Sequence, residues 1–108
     1  MKKMMVAFSL AFLSTSAFAA NHCEKFANSP RYLKAIEAVA KYQERTLEDF
    51  CSRPGMLEIE AQPSRIITPN GDVIPHVSVQ QHFSWDSCKY LVNEIDYSIT
   101  NVKCYSGF

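Results

Sequence analysis

Two histidines lie in one short alternating stretch, "IPHVSVQQHFSW" (residues 74–85). Imidazole is the side chain best suited to acid–base or metal chemistry near neutral pH. On an extended strand His76 and His82 point to the same side but lie about 20 Å apart, at ~3.3 Å per residue. They are therefore too far apart to bind one metal ion or to act together on one small substrate. The alternation predicts that both face solvent, opposite a core side made of Val77, Val79, Phe83 and Trp85.

Two carboxylates also share one side of a predicted strand. Glu58 and Glu60 in "MLEIEA" would lie about 6.6 Å apart, which is within the range of glycosidase pairs. A small secreted hydrolase, such as a nuclease, could use His76 or His82 as base with Glu58 or Glu60 and Arg65 assisting. Any half-exposed strand gives the same alternation of polar residues, so this remains the alternative hypothesis and no residue is assigned as catalytic.

Motifs for nucleophilic, nucleotide or metal chemistry are missing. The chain has three glycines, Gly55, Gly71 and Gly107, and lacks both G-x-S-x-G and a phosphate-binding loop. It also lacks C-x-x-C, so a zinc-ribbon or thioredoxin-like site has no support. We therefore predict no cofactor and no metal site, and favour a binding protein over an enzyme.

The N-terminus predicts export. Lys2 and Lys3 precede an apolar run from residue 4 to residue 13, and Ala17-Phe18-Ala19 is an A-x-A cleavage site. This is the layout of a Sec signal peptide over residues 1–19, with cleavage before Ala20. The apolar run is shorter than the roughly 20 residues of a membrane-spanning helix. We expect a single small domain over residues 20–108, periplasmic or extracellular, with no membrane insertion after cleavage.

The charge pattern narrows the class of partner. The chain has 11 basic and 11 acidic residues, and removal of Lys2 and Lys3 leaves a small acidic excess. Nucleic-acid binding needs a cationic face that replaces phosphate counterions, and none is visible in the sequence. We therefore predict no nucleic-acid partner and expect another protein instead.

One amphipathic helix is predicted over residues 30–51. Ser29 can cap it and Pro30 suits its first position. Its apolar stripe has a single polar member, Gln43, and consists of Leu33, Ile36, Ala40, Gln43, Leu47 and Phe50. Pro54-Gly55 ends it.

The remaining sequence predicts strands. Asn70-Gly71 predicts a two-residue hairpin turn. That turn would pair Leu57 with Ser84, an apolar with a polar residue, so a one-residue shift near Pro63 is also predicted. Gln81 is the one polar residue on the apolar side of the "HVSVQQHFSW" strand. Residues 97–105 predict a further strand; residues 87–96 suit a strand or a short helix, and the strand is favoured.

The four cysteines, Cys23, Cys51, Cys88 and Cys104, predict two disulfides in an exported chain. An unbroken helix from residue 30 to residue 51 would be about 31 Å long, whereas the seven residues after Cys23 span at most ~24 Å. This geometry excludes Cys23–Cys51, and with it Cys88–Cys104. Cys23–Cys88 with Cys51–Cys104 is favoured, and Cys23–Cys104 with Cys51–Cys88 stays open.

These elements predict an α+β fold, in which one long N-terminal helix packs on a three- to four-stranded antiparallel sheet stapled by disulfides. The layout is similar in outline to cystatin-like folds and to small periplasmic immunity proteins. The Q-x-V-x-G loop of cystatins is absent, since the nearest stretch is "VSVQQ". The resemblance is therefore one of architecture and assigns no family.

The aromatic residues provide the partner-binding candidates. Tyr and Trp are favoured at interfaces because they combine area with a polar tip. The candidates are Tyr97, Tyr105, Phe108 and Trp85, and Trp85 leads if its ring lies on the surface instead of in the core. We expect an exported protein-binding module, such as an inhibitor or an immunity protein against an exported toxin.

Overall fold

The structure is a computed structural model that describes residues 21–106. The predicted signal peptide, its predicted cleavage site and Phe108 lie outside the described residues. Two α-helices precede a four-stranded antiparallel sheet whose strand order is β1-β2-β3-β4. The elements are α1 (Pro30–Tyr42), α2 (Leu47–Cys51), β1 (Met56–Ile67), β2 (Val73–Phe83), β3 (Asp86–Asn93) and β4 (Ile99–Ser106). The α+β class is thus confirmed; of the segment 87–96, for which a strand was favoured, residues 87–93 lie in β3 and residues 94–96 lie in the following turn.

The prediction of a single long helix is wrong, because the helical segment is interrupted between α1 and α2. Gln43 is the C-cap of α1, and Glu44 adopts the left-handed conformation at φ 59°. The N–H groups of Glu44 and Arg45 bond the carbonyls of Lys41 and Ala40 at 2.9 Å each, which is a Schellman motif. Thr46 then caps α2, because its hydroxyl accepts a bond from the N–H of Asp49 at 3.0 Å.

The break also overturns the predicted disulfide connectivity. The bridges are Cys23–Cys51 and Cys88–Cys104, with Cα–Cα distances of 5.4 Å and 4.0 Å. Because the chain turns after Tyr42, Cys51 returns towards the start of α1, and the N–H of His22 bonds the Cys51 carbonyl at 2.9 Å. Cys88 and Cys104 are directly opposed on β3 and β4. Both predicted alternatives are therefore wrong.

The β1–β2 hairpin obtains its register from the loop. Ile67 pairs with Val73, and the N–H of Thr68 bonds the Asp72 carbonyl at 2.9 Å, which leaves a three-residue loop, 69–71. Gly71 provides the positive φ of 90° that such a loop needs. The extra loop residue shifts the strand pairing by one position. The register shift predicted near Pro63 therefore occurs in the loop instead. The one irregularity of the described β1–β2 ladder lies between Met56 and Glu58, and Pro63 pairs regularly on this edge strand.

The core lies between the helices and one face of the sheet. The predicted stripe is largely confirmed despite the break, since Ile36, Ala40 and Phe50 are buried. The facing side of the sheet contributes Ile59, Val77, Val79, Tyr90 and Val92. We call the other face of the sheet, on which Glu60, His82 and Ser87 lie, the open face. None of the helices among residues 21–106 is long and apolar enough to span a bilayer.

Candidate functional site

His76 and His82 lie on the same face of β2, as predicted, but their surroundings differ. His76 is 1% exposed, so its assignment to solvent is wrong. Its Nδ1 lies 3.0 Å from the Ile74 carbonyl, which can only accept, so Nδ1 carries the hydrogen. Its Nε2 lies 2.9 Å from the hydroxyl of Thr100 at the start of β4. Both ring nitrogens are thus engaged by the protein, which makes His76 a structural residue.

His82 is the more accessible histidine, with a side chain 28% exposed. Its Nδ1 lies 2.8 Å from Ser87 Oγ, and its Nε2 lies 3.2 Å from Glu60 Oε1. The structure therefore brings together two of the residues that the hydrolase hypothesis needs. It leaves the others apart: Glu58 pairs with Lys25 at 3.2 Å, and Arg65 falls on the opposite face of the regular β1 ladder from Glu60.

The row Ser87–His82–Glu60 joins a hydroxyl, an imidazole and a carboxylate, but its surroundings do not favour acyl transfer. Such chemistry needs free N–H donors where the oxyanion develops. Ser87 lies on the interior strand β3, whose backbone is engaged in the ladders to β2 and β4. Within residues 21–106 no group of three or more His, Cys, Asp or Glu residues is arranged to hold a metal ion. The row amounts to cross-strand polar pairing on the open face.

Trp85 lies on the surface, contrary to the predicted alternation. Strand β2 ends at Phe83, so Trp85 falls in the turn to β3, where its side chain is 52% exposed. The indole stacks on the Phe83 ring, with centroids 5.6 Å apart and an interplanar angle of 25°. On its other side it approaches Gly55, where a Cβ would lie 3.1 Å from the indole at a φ of 84°. A glycine in this conformation thus leaves room for the ring.

A polar network lies beside Trp85, under the C-terminal end of α1. Gln43 Nε2 donates to Gln81 Oε1 at 2.9 Å and to the hydroxyl of Tyr90 at 2.8 Å. Gln81 is 1% exposed and donates in turn to Met56 Sδ at 3.5 Å. The two residues that interrupt the apolar patterns of helix and strand therefore contact each other. We call Gln43, Gln81 and Tyr90 the glutamine floor.

The glutamine floor is not fully satisfied. Gln43 Oε1 is buried and has no hydrogen-bond partner among the described residues. Reversing the amide would leave a buried nitrogen unpaired in place of the oxygen, so either orientation has one unsatisfied atom. An unpaired buried polar group costs about 1–3 kcal/mol. This arrangement is therefore costly to the fold.

A cleft of about 310 Å³ opens above the glutamine floor, and we call it the Trp85 cleft. Phe83 and Trp85 line it together with Arg45, Arg53 and Asp86. The Arg45 guanidinium is paired with Asp49 at 2.9 Å. Arg53 lies over the Phe83 ring, 5.1 Å from its centroid, and takes part in none of the ion pairs among residues 21–106. The cleft thus combines aromatic area with a cation that is paired with no carboxylate of residues 21–106.

The other partner-binding candidates lie elsewhere. Tyr97 is half-buried in the β3–β4 turn with φ 59°, and Lys34 Nζ lies 5.9 Å from its ring centroid. A larger cavity of about 640 Å³ lies between this turn and α1. Tyr105 is 52% exposed and pairs with Ser87 on the open face. The candidates therefore form separate surfaces.

One ion pair closes the end of the molecule near Tyr97. Arg31 on α1 makes two bonds to Glu94, and that from Nη2 to Oε1 measures 2.8 Å. The bonds from Arg31 lower the pKa of the Glu94 carboxyl below its ordinary value. The same bonds raise the pKa of the Arg31 guanidinium. This pair anchors the start of α1 to the β3–β4 turn.

Sequence reasoning missed Arg53, Tyr90 and the cleft, because these come together only in the folded chain. The available signal was that Gln43 interrupts the apolar stripe of the helix and Gln81 interrupts the apolar side of the strand. Comparisons of the chain with protein-family models, with curated proteins and with solved structures found no match. Any function must therefore be inferred from the chain's own geometry.

Proposed function

We propose that this chain is an exported protein-binding module whose partner surface is centred on the Trp85 cleft. The observation that carries the proposal is the exposed stack of Trp85 on Phe83 with Arg53 over the Phe83 ring. Trp and Arg are the residue types that most often dominate binding energy at protein interfaces. Both side chains are held in place by their neighbours, which lowers the entropy lost on binding.

Export is supported by the two disulfides, which persist in oxidising compartments, and by the signal-peptide pattern of residues 1–19. A small exported module with an aromatic surface suits an inhibitor, or an immunity protein against an exported toxin. We include this narrower role, inhibitor or immunity protein, in the proposal.

The test is capture of a partner from a periplasmic or secreted extract, followed by reconstitution of the complex from purified proteins and calorimetric titration. Trp85→Ala is expected to weaken binding at least about tenfold, as for a hot-spot residue. Because the ring is half-exposed, stability should change by less than about 1 kcal/mol. Tyr105→Ala, at the same exposure on the open face, is the matched control and should bind as wild type. A stoichiometric partner whose affinity is indifferent to Trp85 would refute the proposed surface.

A second candidate function is supported by the contact of His82 with Glu60. In that case the chain is a small hydrolase with His82 as base and Glu60 as its orienting carboxylate. The test is a panel of nuclease, esterase and glycosidase substrates assayed with wild type, His82→Gln and His76→Gln. An activity lost with His82→Gln alone supports the hydrolase, whereas a panel without His82-dependent turnover eliminates it.

A further inference from the structure

We propose that the Trp85 cleft takes the carboxylate of an aspartate or glutamate side chain presented by the protein partner. This inference deepens the proposed function and rests on it, because it names the chemistry of the partner at the same surface. Three features of the cleft carry it: its charge, its hydrogen-bond donors and the cost of its floor.

One cation of the cleft, Arg53, favours an anion. Two guanidinium groups, those of Arg45 and Arg53, line it against one carboxylate, that of Asp86, in the described structure. Arg45 already pairs with Asp49. The Arg53 guanidinium lies over the Phe83 ring and takes part in none of the ion pairs of the described residues. A guanidinium binds carboxylate oxygens through charge-assisted hydrogen bonds, which are stronger than neutral ones.

Tyr90 and Trp85 offer donors, whereas the unpaired atom of Gln43 is an acceptor that becomes a donor when its amide is reversed. The hydroxyl of Tyr90 accepts from Gln43 Nε2, and its own proton has no acceptor among residues 21–106. The indole N–H of Trp85 is a donor only. A carboxylate can accept several hydrogen bonds and donates none. It therefore complements Arg53, Tyr90 and Trp85, while the aliphatic stem of the acidic side chain would lie along the aromatic wall.

The glutamine floor gives an independent reason to place a binding site here. Apolar side chains at positions 43 and 81 would continue the core and remove an unsatisfied buried atom. Unsatisfied groups that a fold retains at such a cost are typical of functional sites. The volume of about 310 Å³ is at the lower end of the range of ligand sites, which suits one or two side chains rather than a larger ligand.

The experiment titrates the full mature chain with three capped residues: acetyl-glutamate-N-methylamide, its glutamine counterpart and its lysine counterpart. The readouts are nitrogen-15 NMR shifts of the Trp85 indole and of the Gln43 and Gln81 side-chain amides. Trp85 is the chain's single tryptophan, so its fluorescence gives a second readout. The glutamate probe should bind at these signals in the millimolar range, as expected for a fragment, and about tenfold more tightly than the glutamine probe. Equal binding of these two probes, or preference for lysine, would overturn the inference.

Variants distinguish binding at this site from non-specific electrostatic attraction. Arg53→Gln should weaken the glutamate probe about tenfold, and Tyr90→Phe should weaken it about threefold. The controls Arg65→Gln and Tyr105→Phe should leave it unchanged. Equal losses in Arg53→Gln and Arg65→Gln would show non-specific attraction and would overturn the site.

The two proposals fail in different ways. If the glutamate probe binds selectively but no protein partner is reconstituted, the anion site stands and the proposed function is rejected. If a partner binds through Trp85 but the glutamate probe has no preference and Arg53→Gln leaves the affinity unchanged, the acidic group is rejected and the function stands.

Discussion

The His82 cluster on one side of the sheet and the glutamine floor on the other differ in how well their polar groups are satisfied; outside both clusters, the buried Ser78 Oγ also lacks a partner among the described residues. On the open face, His82 bonds Ser87 and Glu60 in a partly exposed setting, and each of these residues follows the alternation of its strand. On the helix side, Gln43 and Gln81 interrupt apolar patterns, are largely removed from water and leave one amide oxygen unpaired. The reactive residue types therefore lie where polar groups are expected, and the unreactive glutamines lie where polar groups are costly. A departure from the pattern identifies a candidate site better than residue type does.

His76 complicates this comparison, because it belongs to the open face and is nevertheless buried. Its bonds to Ile74 and Thr100 satisfy both ring nitrogens. The open face is thus solvated near His82 and packed near His76.

His76→Ala should lower the free energy of unfolding by about 3 kcal/mol, because it removes a buried ring and two hydrogen bonds. Denaturant unfolding followed by circular dichroism measures this. Thr100→Val removes one of the two bonds with little change of volume and should cost about 1 kcal/mol. A loss below about 1 kcal/mol in His76→Ala would show that the whole open face is solvated.

Gln81→Leu should lower the free energy of unfolding by about 1–2 kcal/mol, because Gln43 loses one acceptor in a buried site. The double variant Gln43→Leu/Gln81→Leu replaces both partners by apolar groups and should regain wild-type stability or exceed it. Thermal unfolding of the single and double variants completes the cycle. If the double variant is less stable than either single variant, the glutamine floor is a structural requirement and the contrast between the two faces disappears.

The Arg31–Glu94 pair predicts a smaller, pH-dependent effect at the far end of the molecule. The folded pKa of Glu94 is lowered, chiefly by its hydrogen bonds from Arg31. The pair therefore contributes stability above the ordinary carboxyl pKa of about 4.3, and this contribution is lost as the pH falls through the lower folded value. Thermal unfolding between pH 6 and pH 3 should show this loss in wild type. The slope should be shallower in Glu94→Gln, and an unchanged slope would contradict the pairing.

His82→Gln and Glu60→Gln should have the smallest effects, each within about 0.5 kcal/mol, because their groups are partly exposed and exposed pairs contribute little. Chemical denaturation at pH 7 tests this, with His76→Ala as the contrasting variant. A loss above about 1.5 kcal/mol in either variant would place His82 and Glu60 in a cooperative network and would strengthen the case for a function there.

Several features follow from local sequence alone, because they depend on periodicity. The strand alternation correctly placed His76 and His82 on one face and Val77 and Val79 on the other. The 3.6-residue stripe correctly identified Ile36, Ala40 and Phe50 as core. These patterns reflect which side of each element must avoid water, and that requirement holds before the elements meet.

The sequence predictions failed where the residue types did not indicate the backbone conformation that the chain adopts. Glu44 takes the left-handed position that glycine usually fills, so the end of α1 was hidden, and the error carried over to both disulfides. The three-residue loop 69–71 contains the same Asn-Gly that favours a two-residue turn, and it moved the expected shift of register out of β1.

The surroundings of each side chain depend on how the elements pack together. The tertiary structure buried His76 against β4, exposed Trp85 at the end of β2, and brought Gln43 to Gln81 across 38 positions of sequence. Periodicity specifies a direction for each side chain, whereas burial and hydrogen-bond partners depend on which elements pack above it and where each strand ends. The fold class and the faces of the strands were therefore determined by the sequence pattern, and the Trp85 cleft arose only when α1 packed on the sheet, because its residues come from elements that share no local pattern.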